Sequence, residues 1–97
     1  MLRFEWDPAK ARANLAKHHT GFDEAATVFY DPLGITISDP EHSGDEDRYI
    51  TIGVSKAGKY LMIAHTDRNE RIRIISARKL SHKERDEYEN EVKTRRR

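Results

Sequence analysis

Between Leu33 and Ala77 the chain offers four apolar runs and little chain to connect them. The runs are Leu33–Ser38, Arg48–Val54, Lys59–Thr66 and Arg71–Ala77, rich in β-branched and aromatic residues. Such runs, bounded by turn residues, read as strands. Ser55–Gly58 and Asp67–Glu70 are turns of hairpin length, whereas a parallel crossover needs about a dozen residues or more. The four strands therefore form an antiparallel meander. The first connection, Asp39–Asp47, is polar and holds five acids.

The segments on either side complete the frame. Leu2–Trp6 alternates apolar and charged residues and reads as a further strand. Asp7-Pro8 opens a helix to about His18, with Asp7 as N-cap and Pro8 at the first helical position. Ala11, Leu15 and His18 share its expected inner face. A second short helix, Glu24–Tyr30, takes Asp23 as its cap and turns Phe22, Ala26 and Phe29 or Tyr30 inward. Ser81-x-x-Glu84 is a capping box for a helix from His82 to about Lys93. Helices and strands fall into separate groups, which favours α+β. We expect one domain over residues 1–97: a twisted antiparallel sheet, two N-terminal helices and one C-terminal helix. Residues 94–97 form a frayed basic tail.

Composition excludes several functions. None of the 97 residues is cysteine, so no disulfide framework, thiolate metal site or cysteine nucleophile is available. No run approaches the roughly 18 apolar residues of a membrane span. The opening residues lack the apolar core of a signal peptide. The expected compartment is the cytoplasm. Lys and Arg number 18 against 17 Asp and Glu, for a net charge of +1, which looks unlike a nucleic-acid binder. The total hides a skew. Residues 1–66 carry seven basic and ten acidic side chains, and residues 67–97 carry eleven and seven. Most of the arginines lie in that second part, and arginine suits bidentate phosphate contacts.

No glycine-rich phosphate loop is present, so no nucleotide cofactor is expected. His18 and His19 are adjacent and diverge on a helix, and no metal-ligand spacing occurs. Arg48, Arg68, Arg71, Arg73 and Arg78 lie on or beside the meander. Each has either a carboxylate partner, with Glu46, Asp47, Glu84 and Asp86 as candidates, or a phosphate to bind. On an unbroken last strand Ile72, Ile74, Ser76 and Arg78 share one face, and Arg71, Arg73, Ile75 and Ala77 the other. Arg73 and Arg78 then serve one cleft only if the strand bends or ends between them. His65 ends a strand near Arg68, and His82 opens the last helix near Arg78. Histidine works as an acid or base near neutral pH, although a lone histidine more commonly packs or faces solvent. Tyr49 and Tyr60 either fill core or stack with a base.

One set of residues resembles a known pattern: Phe4-x-Trp6-Asp7-x-x-Lys10, Asn14, Lys17-His18, Phe22-x-Glu24-Ala25, Val28-Phe29, Glu46-x-Arg48, Gly53 and Arg73-Ile74-Ile75-Ser76-Ala77-Arg78, with Glu84-Arg85 and Tyr88. From Phe4 to about Glu89 the chain resembles the BrnT family of type II toxins. The resemblance implies a RelE-like fold and a ribonuclease that inhibits translation by cutting RNA. It implies a BrnA-like antitoxin in a complex of two toxins and two antitoxins. Operator DNA would be bound only through that antitoxin. It implies cleavage by the ribose 2′-OH with no metal or cofactor. Carried onto this chain, Arg48, Arg73 and Arg78 become phosphate and transition-state contacts. Glu46, taken to share a strand face with Arg48, becomes a base or an orienter of Arg48, and Lys10 and His18 reach the same cleft. Arg68, His65, Arg71 and Lys79 become RNA contacts. The alternative is a non-catalytic RNA- or DNA-binding or protein-interaction module.

Overall fold

The computed structural model describes residues 1–44 and 46–95. Its strands are β1 (Phe4–Glu5), β2 (Ile35–Ser38), β3 (Arg48–Val54), β4 (Tyr60–Arg68) and β5 (Arg71–Lys79). Its helices are α1 (Pro8–His18), α2 (Phe22–Thr27) and α3 (His82–Arg95). The sheet order is β1-β5-β4-β3-β2. Strands β2 to β5 form the expected antiparallel meander. β1 departs from it. Only two residues pair, and they run parallel to β5, Phe4 against Ile72 and Glu5 against Arg73. The α1–α2 segment and three strands separate the partners in sequence, so no short-connection argument applies to this pair.

Two element ends differ from expectation for local reasons. Asn69 and Glu70 both take positive φ, 52° and 64°, as a two-residue turn between twisted strands requires. The hairpin is therefore tighter, and Arg68 and Arg71 face each other as its last pair. At the C-terminus α3 continues through Arg95, so Thr94 and Arg95 are helical rather than frayed. Arg96 and Arg97 of the expected tail lie outside the described residues.

The core lies on one side of the sheet, where Phe22, Ala25 and Val28 meet Leu61, Ile63, Ile74 and Ala77. The buried set on α2 differs from the expected one. The chain tightens to a 3-10 turn over Val28–Tyr30, which favours a period of three, and Tyr30 is left 59% exposed. Gly21, not Asp23, is the N-cap. Gly53 permits this packing, because a Cβ there would come within 3.0 Å of both Val28 and the Asp31 carboxylate. Asp31 accepts from the Val54 and Leu33 amides, and it lies beside the Tyr88 hydroxyl. Burial and that carboxylate push Tyr88 up to about 12.

Helix α1 shows a larger reversal. Asp7 caps it as expected, with Oδ1 accepting from the Ala9 amide at 2.8 Å. Leu15, however, is 53% exposed, and the residue buried by the helix is Asn14. The reason is where α1 docks. β1 pairs only with Ile72 and Arg73 at the start of the outer edge of β5, and α1 docks further along that edge, at Ala77. An edge presents unpaired N–H and C=O groups that need polar partners. Asn14 supplies both: its Oδ1 accepts from the Ala77 amide at 3.1 Å, and its Nδ2 donates to the Ala77 carbonyl at 2.8 Å. The same Nδ2 donates to the Thr20 carbonyl just beyond the helix.

Candidate active site

The face of the sheet opposite the core carries the arginines, and a β-bulge puts them there. His65 of β4 pairs with Ile74, but Ala64 pairs with Ser76, so Ile75 is an extra residue on β5. A bulge shifts the alternation by one. Ile74 and Ala77 consequently both face the core at 1% exposure. Arg73, Ser76 and Arg78 oppose Thr66, Ala64 and Met62, which share one face of β4. The parity conflict between Arg73 and Arg78 disappears: the strand kinks without leaving the sheet.

Register then gives a row across four strands: Glu5, Arg73, Thr66 and Arg48. Arg48 and Arg73 stand two strand spacings apart, about 9–10 Å, flanking Thr66, which is only 7% exposed. Glu5 Oε2 accepts from Arg73 Nη1 at 2.7 Å, while the rest of the Arg73 fork makes no hydrogen bond among the described residues. Arg48 Nε is buried and unpartnered there. Neither Glu5 nor Thr66 was singled out from sequence. Glu5 becomes visible only once β1 is paired beside β5, and Thr66 only once the β3–β4 register is known.

The other expected site residues divide. Arg68 and Arg71 share the arginine face at the hairpin end. Glu46 sits before β3 rather than on it, and it pairs with Arg68, not Arg48. That pairing holds the Glu46 carboxyl below the usual range, which weakens it as a base. Arg78 is gripped by Glu84 at 2.8 and 2.9 Å. Its remaining Nη protons go to the Lys79 carbonyl and the Met62 sulfur. Four of the five guanidinium N–H donors are therefore engaged within the fold.

His65 is corrected outright as an RNA contact. It is 4% exposed on the core face, edge-on to Phe29 at 4.9 Å, and shares a 2.7 Å hydrogen bond with Thr51. Burial pulls it below the ordinary histidine value, against a weaker opposite pull from Asp67. Lys79 follows the bulge, so it pairs with the core residue Leu61 and points away from the arginines. Tyr49 stacks toward His65 on the core face, whereas Tyr60 lies on the other face against Tyr88, so they form no joint platform. Lys10 is exposed, one turn before Asn14, with no ion pair among the described residues. His18, the last residue of α1, lines a groove of about 280 Å³ beside Arg78. Among the described residues no three His, Asp or Glu gather as a metal site.

Comparison with known proteins gives the family. Residues 6–84 match the family model described as "Ribonuclease toxin, BrnT, of type II toxin-antitoxin system". The chain belongs to the BrnT family. The fold also matches the crystal structure of the Brucella abortus ribonuclease toxin BrnT. That match has a TM-score of 0.62 and 19% identity, and it covers 84% of this chain and all of that one. No curated protein matches the chain. The BrnT match spans Arg48, Thr66, Arg73 and Arg78, and it ends at Glu84, the carboxylate that holds Arg78.

Membership makes the chain a ribonuclease toxin of a type II toxin–antitoxin system, and hence a protein with an antitoxin partner. In this BrnT chain the Arg78–Glu84 pair also closes the α3 capping box, since Glu84 accepts from the Ser81 amide at 2.8 Å. Together Arg78 and Ser81 hold the Glu84 carboxyl down to about 2. A depressed folded-state value adds stability that is present above the unfolded value of about 4.5 and lost as pH falls through 2. Both partners are partly exposed, so solvent screening reduces the effect. We expect Glu84→Gln to lower stability by about 1 kcal/mol at pH 7. The difference from the parent should shrink as pH falls toward 2 and vanish below it in denaturant titrations.

Proposed function

We propose that this toxin cuts RNA without a metal ion, by attack of the ribose 2′-OH on the adjacent phosphorus, with Arg48 and Arg73 clamping the phosphoryl oxygens. The observation that carries this reading is the Glu5–Arg73–Thr66–Arg48 row. In such a reaction negative charge grows on the phosphoryl oxygens, and fixed cations around them supply the main stabilisation. The 2′ proton needs an acceptor. In this reading Glu5, beside Arg73, takes that proton, and His18, at the end of α1, protonates the leaving 5′ oxygen. Arg68 and Arg71 extend the basic face along the RNA strand. Arg78 holds α3 against the face rather than the phosphate.

The biological reading follows from the family and goes beyond its printed description. Cutting RNA stops translation in the cytoplasm, and a BrnA-like antitoxin covers the arginine face, in a complex of two toxins and two antitoxins. Operator DNA is then contacted through the antitoxin. An acidic or amphipathic antitoxin segment fits a face this rich in arginine.

Purified protein incubated with a single-stranded RNA tests the chemistry. Cleavage is expected to persist undiminished in excess EDTA, leaving 2′,3′-cyclic phosphate ends. Loss of cleavage in EDTA with recovery on adding Mg²⁺ sinks the metal-free mechanism. Salt-dependent binding with no cleavage favours the non-catalytic RNA-binding alternative.

A further inference from the structure

The groove beside the arginine row has a shape and lining that phosphate binding does not use. The next row along the sheet is Ile50, Ala64 and Ser76, and the one after is Ile52, Met62 and Arg78. Ala64, the smallest side chain, sits at the centre of the first, and the surface sinks there. Ile50, Met62 and Ala64 line the groove's apolar part, Ser76 and Arg78 lie on its β5 side, and His18 stands at its rim. Ser76 is half-buried, and its hydroxyl makes no hydrogen bond among the described residues. The groove begins one residue pair, about 6.7 Å, from the Thr66 row.

Apolar lining beside unused hydrogen-bonding groups is the pattern of a small-molecule site, with few polar groups setting orientation. At about 280 Å³ the groove lies near the lower end of such sites. It lies on the same sheet face as the arginine row, one row further along the strands. A ligand that lays a charged group on Arg48 and Arg73 and a flat, hydrogen-bonding body on Ala64 is a nucleotide. We infer that this groove is a base-recognition subsite, which holds one unstacked RNA base next to the phosphate gripped by the arginine row. The inference rests on the RNA-cleaving reading above. Ala64 supports one face of the base, Ile50 and Met62 border it, and Ser76 reads its edge. Single-stranded RNA is recognised by unstacked bases of this kind. His18 is delivered to the rim because Asn14 fixes the end of α1 to Ala77, next to Ser76.

The test uses the full chain and four homopolymeric oligonucleotides, each 2′-O-methylated so that none is cleaved. Binding is followed by anisotropy at fixed salt. The parent is expected to discriminate between the best and worst base by about tenfold or more. Ala64→Leu fills the depression, and it should compress that range to about twofold while leaving the salt dependence of binding unchanged. Ser76→Ala should reduce discrimination without reducing the affinity for the poorest base. Equal binding of all four oligonucleotides by the parent overturns the inference, as does undiminished discrimination in folded Ala64→Leu and Ser76→Ala. Failure of the underlying reading is a separate result. In that case discrimination persists in these assays while unmodified RNA stays intact.

Discussion

Arg73→Ala is expected to lower single-turnover RNA cleavage by about 10²–10³-fold, the range for loss of one preorganised donor at a developing oxyanion. Growth arrest on expression should be relieved to match, and the melting temperature should move by only a few degrees. The expectation comes from counting donors. Arg73 commits one Nη to Glu5 and keeps the rest of its fork for a substrate. Arg78 has four of five donors tied to Glu84, Lys79 and Met62. Arg78→Ala should therefore act mainly through stability, by leaving Glu84 without its partner and loosening α3. Arg73→Lys keeps the charge but loses the fork, so only partial activity is expected. If Arg78→Ala abolishes cleavage with unchanged melting while Arg73→Ala cuts RNA normally, the roles are reversed and the donor count has misled. Arg48→Ala should behave like Arg73→Ala, because the two flank the same Thr66.

The meander was legible because alternating runs and short turns leave a chain few options. The α3 cap was legible for the same local reason, and the Ser81–Glu84 box forms reciprocally. The site was harder to read. Alternation along the start of β5 is enough to put Arg71 and Arg73 on one face, whereas only the register brings Arg48 and Arg68 onto it. Beyond the bulge simple alternation fails, since one extra residue at Ile75 inverts the parity for Ser76, Ala77, Arg78 and Lys79. Nothing in Ile74-Ile75-Ser76 announces a bulge. Glu46 was paired with Arg48 by proximity in sequence, whereas the hairpin returns Arg68 to it. Glu5 is not legible as a site residue in the sequence, because its partner lies 68 residues away. His65 has the chemistry of a catalytic residue but the burial of a core one, and only the register distinguishes the two.

Asn14 is where fold and site depend most on one side chain, and its loss should produce the largest change in stability. It is 7% exposed, and it satisfies the Ala77 N–H and C=O and the Thr20 C=O, in residues each about 1% exposed. Asn14→Ala strands buried backbone groups, at about 1–3 kcal/mol for each that water cannot reach. We expect a total loss of about 2–4 kcal/mol, because the edge of β5 will relax toward solvent. For a domain of this size that lowers the melting temperature by about 10–20 °C. Asn14→Asp should do no better at neutral pH. Its second carboxylate oxygen would face the two carbonyls that Nδ2 now serves. Protonation restores one donor, so the Asp variant should regain part of its stability below its own carboxyl pKa, whereas the Ala variant should not. Thermal melts of both variants across pH 3–8 separate the cases. Equal, pH-independent melting of parent and both variants would show that α1 does not depend on this clamp. A helix held to a sheet edge by a polar side chain explains why α1 carries so little apolar surface, and why its last residue, His18, sits over the groove rather than over the core.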